Sequence, residues 1–113
     1  MGEVRKNILI DIDGTVSEDI PNEEDYKFAN ALVLKDSVES VNKLYDSNHI
    51  ITFFTARTEK HRAVTEKWLK DNGFKYHNLL MNKPRGGNYV WIDNLSVQGV
   101  HYKDNWRTIT NSF

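Results

Sequence analysis

Apolar residues in this chain come in short runs, each stopped by a polar residue able to carry chemistry. Asn7-Ile8-Leu9-Ile10 leads into Asp11-Ile12-Asp13-Gly14-Thr15. Ile50-Ile51-Thr52-Phe53-Phe54 stops at Thr55-Ala56-Arg57-Thr58. Leu79-Leu80-Met81 precedes Asn82-Lys83-Pro84, and Tyr89-Val90-Trp91-Ile92 ends in Asp93-Asn94. Short β-rich apolar runs bounded by turn signals read as buried strands. The first is expected over about Lys6 to Asp11.

Two stretches between these runs repeat at helical spacing. Val38, Val41, Leu44 and Tyr45 share one face of a helix expected to start at Asp36 and to end near Asn48. Asp36 as N-cap with Glu39 fits a capping box. A second helix is expected from about Glu59 to Asn72. Thr58 is its N-cap, Val64, Trp68 and Leu69 its core side, and Gly73 its left-handed stop. Its basic residues, Lys60, His61, Arg62 and Lys67, read as a wet face. The polar stretch Ser17 to Asp25 holds Pro21 and five acids and reads as a loop, solvated or serving as a flap beside a site. Tyr26 and Phe28 would anchor its returning end. One more short strand is expected near Val100 to Tyr102.

The order strand, helix, strand, helix, strand, strand predicts an α/β fold with a mainly parallel sheet and helices on its faces. Right-handed crossovers bring the strand ends to one edge, where ligands bind in open α/β sheets. Asp11, Thr55, Lys83 and Asp93 should therefore converge.

Composition narrows the class without changing this picture. The 113 residues fit one domain spanning 1–113, with 39% apolar and 27% charged residues and a net charge of -1. That charge exerts no global pull toward nucleic acid or anionic membrane. Cysteine is absent, which excludes thiolate chemistry and a disulfide framework. No apolar run approaches a membrane span, and Met1 to Lys6 lacks a leader's apolar stretch, so the expected location is cytoplasmic.

The convergent residues have a chemistry. Asp11 and Asp13 leave one side of a strand, and burying them unpaired would cost several kcal/mol. A hard cation relieves that repulsion, and oxygen ligands suit Mg2+. Asp11, Asp93 and the Asp13 carbonyl are the candidate ligands. Thr55, with the N–H groups at Ala56 and beyond, and Lys83 suit a dianionic phosphoryl group. Asp11 can attack phosphorus and form an aspartyl-phosphate, while Asp13 protonates the leaving alkoxide and then deprotonates water. Arg57 has two readings: a bidentate clamp on phosphate, or a surface arginine paired with the acidic loop. The four histidines show no ligand spacing.

Asp11-Ile12-Asp13-Gly14-Thr15, Thr55, Lys83 and Asp93, in that order, resemble the four motifs of the haloacid dehalogenase superfamily of phosphohydrolases. The resemblance spans about Ile8 to Asn94. It implies a Rossmann-like three-layer sandwich, Mg2+ as cofactor and an aspartyl-phosphate intermediate. Aspartate at both Asp11 and Asp13 is similar to the phosphatase and phosphomutase branches. The chain departs from the pattern in three places. Asn94 stands where a second acid is common. The stretch from Lys83 to Asp93 is short, as in small phosphatase-like proteins associated with surface-sugar synthesis. Neither connecting segment has room for a cap domain.

The expected function is Mg2+-dependent hydrolysis of a phosphate monoester, with a phosphosugar as the first candidate. The open site would admit a phosphorylated small molecule or a macromolecular end, or take a second subunit as lid. A nucleic-acid end phosphatase, and a phosphate-binding module with weak turnover, are the alternatives. No membrane partner is expected.

Overall fold

The computed structural model describes residues 4–111. The reading of Met1 to Lys6 as free of a leader falls partly outside that range. Three strands, β1 (Asn7–Ile10), β2 (Ile50–Phe54) and β3 (Asn78–Leu80), form one parallel sheet in the order β1-β2-β3. Ile8 lies beside Ile51 and Phe53 beside Leu79. Helix α1 (Ser37–Asp46) joins β1 to β2, and α2 (Arg62–Asp71) joins β2 to β3. This is a small Rossmann-like α/β fold.

Burial along β2 explains the layering. Ile51, Thr52 and Phe53 are all buried. Successive side chains point to opposite faces, so both faces of the central strand are covered. Ile51 and Phe53 pack with Ile10, Ile12, Val16, Val41 and Leu69 in one core. Helix α1 buries Val41 and Leu44, and α2 buries Trp68 and Leu69, the apolar faces expected from spacing. Trp68 also donates its indole N–H to the Ala31 carbonyl at 2.9 Å. Gly73 closes α2 at φ +81°, the left-handed stop expected there.

Four local expectations change. Asp36 makes no capping box: it sits at φ +64° with no side-chain cap. Ser37 is the first helical residue, and its hydroxyl shares its hydrogen between the Leu34 and Val16 carbonyls, at 2.8 and 3.1 Å. The acidic loop is part ordered, because 22–30 winds as 3-10 turns and seats Phe28 fully in the core while Tyr26 stays exposed. Tyr89 to Asn94 forms no strand, and its apolar side chains lie in solvent, Ile92 at 91% exposure. Val100 to Tyr102 also forms none; the tail instead makes α3 (Trp106–Thr110), which buries Trp106 and Ile109. Among the described residues no helix is long and apolar enough to cross a membrane.

Candidate functional site

The site begins where β1 stops. Ile12 turns fully into the core, so Asp11 and Asp13 emerge on the other side. Beyond them the backbone closes a tight turn. The amides of Thr15, Val16 and Ser17 all donate to the Ile12 carbonyl, and Gly14 donates to Ser17 at 2.8 Å. Gly14 stands at φ +82°, a region that costs other residues roughly 1–2 kcal/mol. The turn brings Thr15 back, its hydroxyl donating to Asp11 Oδ2 at 3.1 Å.

The ends of β2 and β3 are tied together by their backbones. Thr55 N–H donates to the Leu80 carbonyl, Lys83 N–H to the Thr55 carbonyl and Asn82 N–H to the Arg57 carbonyl. This ladder delivers Lys83 to the first strand. Its ammonium donates to Asp11 Oδ1 at 2.9 Å. The Asp11 side chain stays 35% exposed and that of Lys83 only 14%, so the pair meets at the floor of an open edge. The Phe54 and Tyr89 rings lie 5.9 and 5.3 Å from the same ammonium.

Asp13 has a different partner. Arg57 reaches it with two arms, Nη2 to Oδ1 at 2.8 Å and Nε to Oδ2 at 3.0 Å. The third arm, Nη1, donates to Thr65 Oγ1 at 2.9 Å. Arg57 is fully buried, and its guanidinium lies 3.8 Å from the centre of the Phe28 ring. It is therefore neither the phosphate clamp at the mouth nor the surface partner of the acidic loop that its position in the chain allowed. Three of its five N–H donors are spent inside, on Asp13 and Thr65.

Thr55, Lys83 and Asp11 do come to one edge, as expected. Thr55, however, is fully buried, and its Oγ1 accepts the Arg57 amide at 3.2 Å. The Ala56 carbonyl accepts from Asn22 Nδ2 at 3.1 Å. These bonds shape the loop's underside.

Asp93 is not brought to the pair. Its Oδ1 accepts the Leu95 amide at 3.0 Å and its Oδ2 the Trp91 indole N–H at 3.1 Å, in an exposed turn. The Leu95 amide, then the Trp91 N–H, hold its carboxyl below the usual range. Among the described residues no three His, Cys, Asp or Glu side chains group as metal ligands. Of the expected ligands Asp11, Asp93 and the Asp13 carbonyl, the Asp11 carboxylate lies at the open edge beside Lys83, while the Asp13 side chain is engaged by Arg57 and the Asp93 side chain closes its own turn.

Several supporting residues escaped the sequence reading. His61, expected on a wet face, is buried. Its Nδ1 accepts the Thr58 amide at 3.2 Å, so Nε2 carries the proton toward Asp25 Oδ2 at 3.1 Å. Its ring meets Phe28 edge-on at 5.1 Å. The signal was its place three residues after Thr58, where a side chain can fold back on an N-cap. Thr65 gave no signal: a threonine inside a helix pattern says nothing about an arginine eight residues earlier. Arg85, read from the sequence only as part of a glycine turn or a substrate approach, pairs with Glu23 at 3.3 Å, both side chains exposed.

No family model and no curated protein matches this chain. Solved structures do. A structural-genomics target from Vibrio cholerae superposes with a TM-score of 0.59 at 20% identity, over 84% of each chain. A chain of the Pnkp1/Rnl/Hen1 complex gives a TM-score of 0.61 at 22% identity, over 80% of this chain and 31% of that one. A second structure, the Pnkp1/Rnl/Hen1 RNA repair complex, gives 0.61 at 22% identity over 74% and 27%. The chain thus spans about a third or less of those two larger chains. Likeness at this identity establishes the shared fold.

Proposed function

We propose that this protein hydrolyses phosphate monoesters, with Asp11 as the nucleophile. The observation that carries the reading is the Asp11–Lys83 pair. A half-open carboxylate and an ammonium from separate strand ends meet at 2.9 Å on the edge where an α/β sheet binds ligands. Lys83 offsets the repulsion between Asp11 and an incoming dianion. An Asp11 oxygen bonds to phosphorus as the ester oxygen leaves, and the alkoxide takes a proton delivered through Asp13. Water, giving its proton to Asp13, then cleaves the aspartyl-phosphate and frees inorganic phosphate. Phosphate esters are among the slowest substrates in water, so the site must supply attack as well as binding.

Mg2+ is part of the proposal on the strength of the neighbouring acids Asp11 and Asp13 and of the resemblance. A cation here would rest on Asp11, with the remaining ligands from water and substrate oxygen, as Mg2+ sites often have.

Phosphate release tests the reading, assayed with Mg2+ and with chelator for the native chain and Asp11→Asn. Mg2+-dependent release that disappears in the variant supports it. Release that persists in Asp11→Asn removes Asp11 as nucleophile. Binding of phosphate without turnover favours the regulatory module instead.

A second reading concerns the substrate. Tyr89 is 57% exposed, is fixed by its hydroxyl to the Pro84 carbonyl, and stands beside Lys83. An exposed ring next to a phosphate-binding ammonium suits a nucleotide end, since bases stack on aromatic faces. Two neighbouring structures are complexes of Pnkp1 with Rnl and Hen1, one of them named for RNA repair. Faster release from a phosphorylated oligonucleotide than from phosphosugars, falling with salt, would select this reading.

A further inference from the structure

We propose that Arg57 is a positioning residue for proton transfer. It holds the plane of the Asp13 carboxylate toward the leaving oxygen, and segment 22–30 maintains that grip through Phe28. This rests on the assignment of Asp11 and Asp13 above.

Arg57 is held at both ends. Its amide donates to Thr55 Oγ1 and its carbonyl accepts from Asn82, which fixes the root of the side chain. Its tip donates with two arms to Asp13 and one to Thr65. The Phe28 ring closes its open face at 3.8 Å. A flexible carboxylate has two soft dihedrals. A two-armed grip from a buried fork removes both, because the guanidinium is planar and its donors are in fixed geometry. Proton transfer depends on such alignment. Full burial also keeps Arg57 from touching a substrate directly.

Phe28 is itself placed by the acidic segment. His61 packs edge-on against it and faces Asp25 on the same segment. The order of 22–30 is thus connected to Asp13 by contacts through Phe28 and Arg57.

Leaving-group dependence separates positioning from other roles. An alkyl phosphate releases a basic alkoxide that needs a proton, whereas p-nitrophenyl phosphate releases an anion that does not. We measure kcat/KM for both with the native chain, Arg57→Lys and Thr65→Val. Arg57→Lys keeps the charge and loses the fork. It should lower kcat/KM for the alkyl ester on the order of 10²-fold and for p-nitrophenyl phosphate less than about 10-fold. Thr65→Val, which keeps shape and removes only one acceptor, should show the same asymmetry several-fold. Equal losses on both substrates, in whichever variant folds, would overturn positioning and return Arg57 to a purely structural role. An unchanged Thr65→Val together with an unfolded Arg57→Lys would also overturn it. Native turnover of p-nitrophenyl phosphate keeps the phosphatase reading standing through either failure, and its absence ends both.

Discussion

The two aspartates differ most in what happens when each is removed. Asp13 is 16% exposed and is, among the described residues, the sole carboxylate on a fully buried guanidinium. Taking away one member of a buried pair leaves an uncompensated charge and costs about 3–5 kcal/mol. The Asp11 side chain, by contrast, is 35% exposed, and Asp11→Asn leaves an oxygen to accept from Lys83. Asp13→Asn should therefore lower the denaturant midpoint by the equivalent of about 3 kcal/mol, and Asp11→Asn by less than about 1 kcal/mol. Equal midpoints would mean that Asp13 is not the counter-ion of Arg57 in solution. The difference also selects Asp11→Asn as the variant whose lost turnover reads on chemistry rather than on folding.

At the scale of the element, legibility followed from whether local and distant forces agree. The runs that became β1, β2 and β3 are bounded by turns and have a sheet to enter, so pattern and packing coincide. Tyr89-Val90-Trp91-Ile92 has the same apolar pattern yet lies in solvent. Here local bonds dominate: Gly86, Gly87 and Asn88 all hold positive φ, Tyr89 is tied to Pro84, and Asp93 collects the Leu95 and Trp91 N–H groups. Aspartate side chains that bond nearby backbone compete with a strand ladder. Sequence spacing cannot rank those two outcomes. It also placed Arg57 correctly after β2 but could not say that Phe28 would cover it, because that contact joins distant segments. The Asp93 turn makes a pH prediction. Its folded carboxyl titrates below the ordinary value, so its contribution is complete above that value. The contribution is lost as pH falls through the lowered one. Trp91 fluorescence should change over that acid range in the native chain and stay flat in Asp93→Asn. A flat native profile would count against the turn.

Across the whole molecule, the tail is fastened to the site's turn. Trp106 is 3% exposed, donates its indole N–H to the Thr15 carbonyl at 2.7 Å and packs beside Tyr102. Trp106→Phe should cost roughly 1–3 kcal/mol by leaving that carbonyl unpaired, and Trp106→Ala about 3–5 kcal/mol by also opening a cavity. Hydrogen exchange at Gly14 to Ser17 should quicken in both. Unchanged exchange there would show that the tail does not support the turn.

That one bond also sets an order of assembly. Thr15 and Trp106 are separated by 91 positions, so the brace on the turn that carries Asp13 closes across nearly the whole chain. Distant closures follow local ones, because chain entropy must be overcome before the contact rewards it. On a ribosome the aspartates emerge first and their turn closes on local bonds, yet its brace waits for residue 106. A nascent chain stopped short of that tryptophan would hold the sheet and both acids without the brace that steadies them.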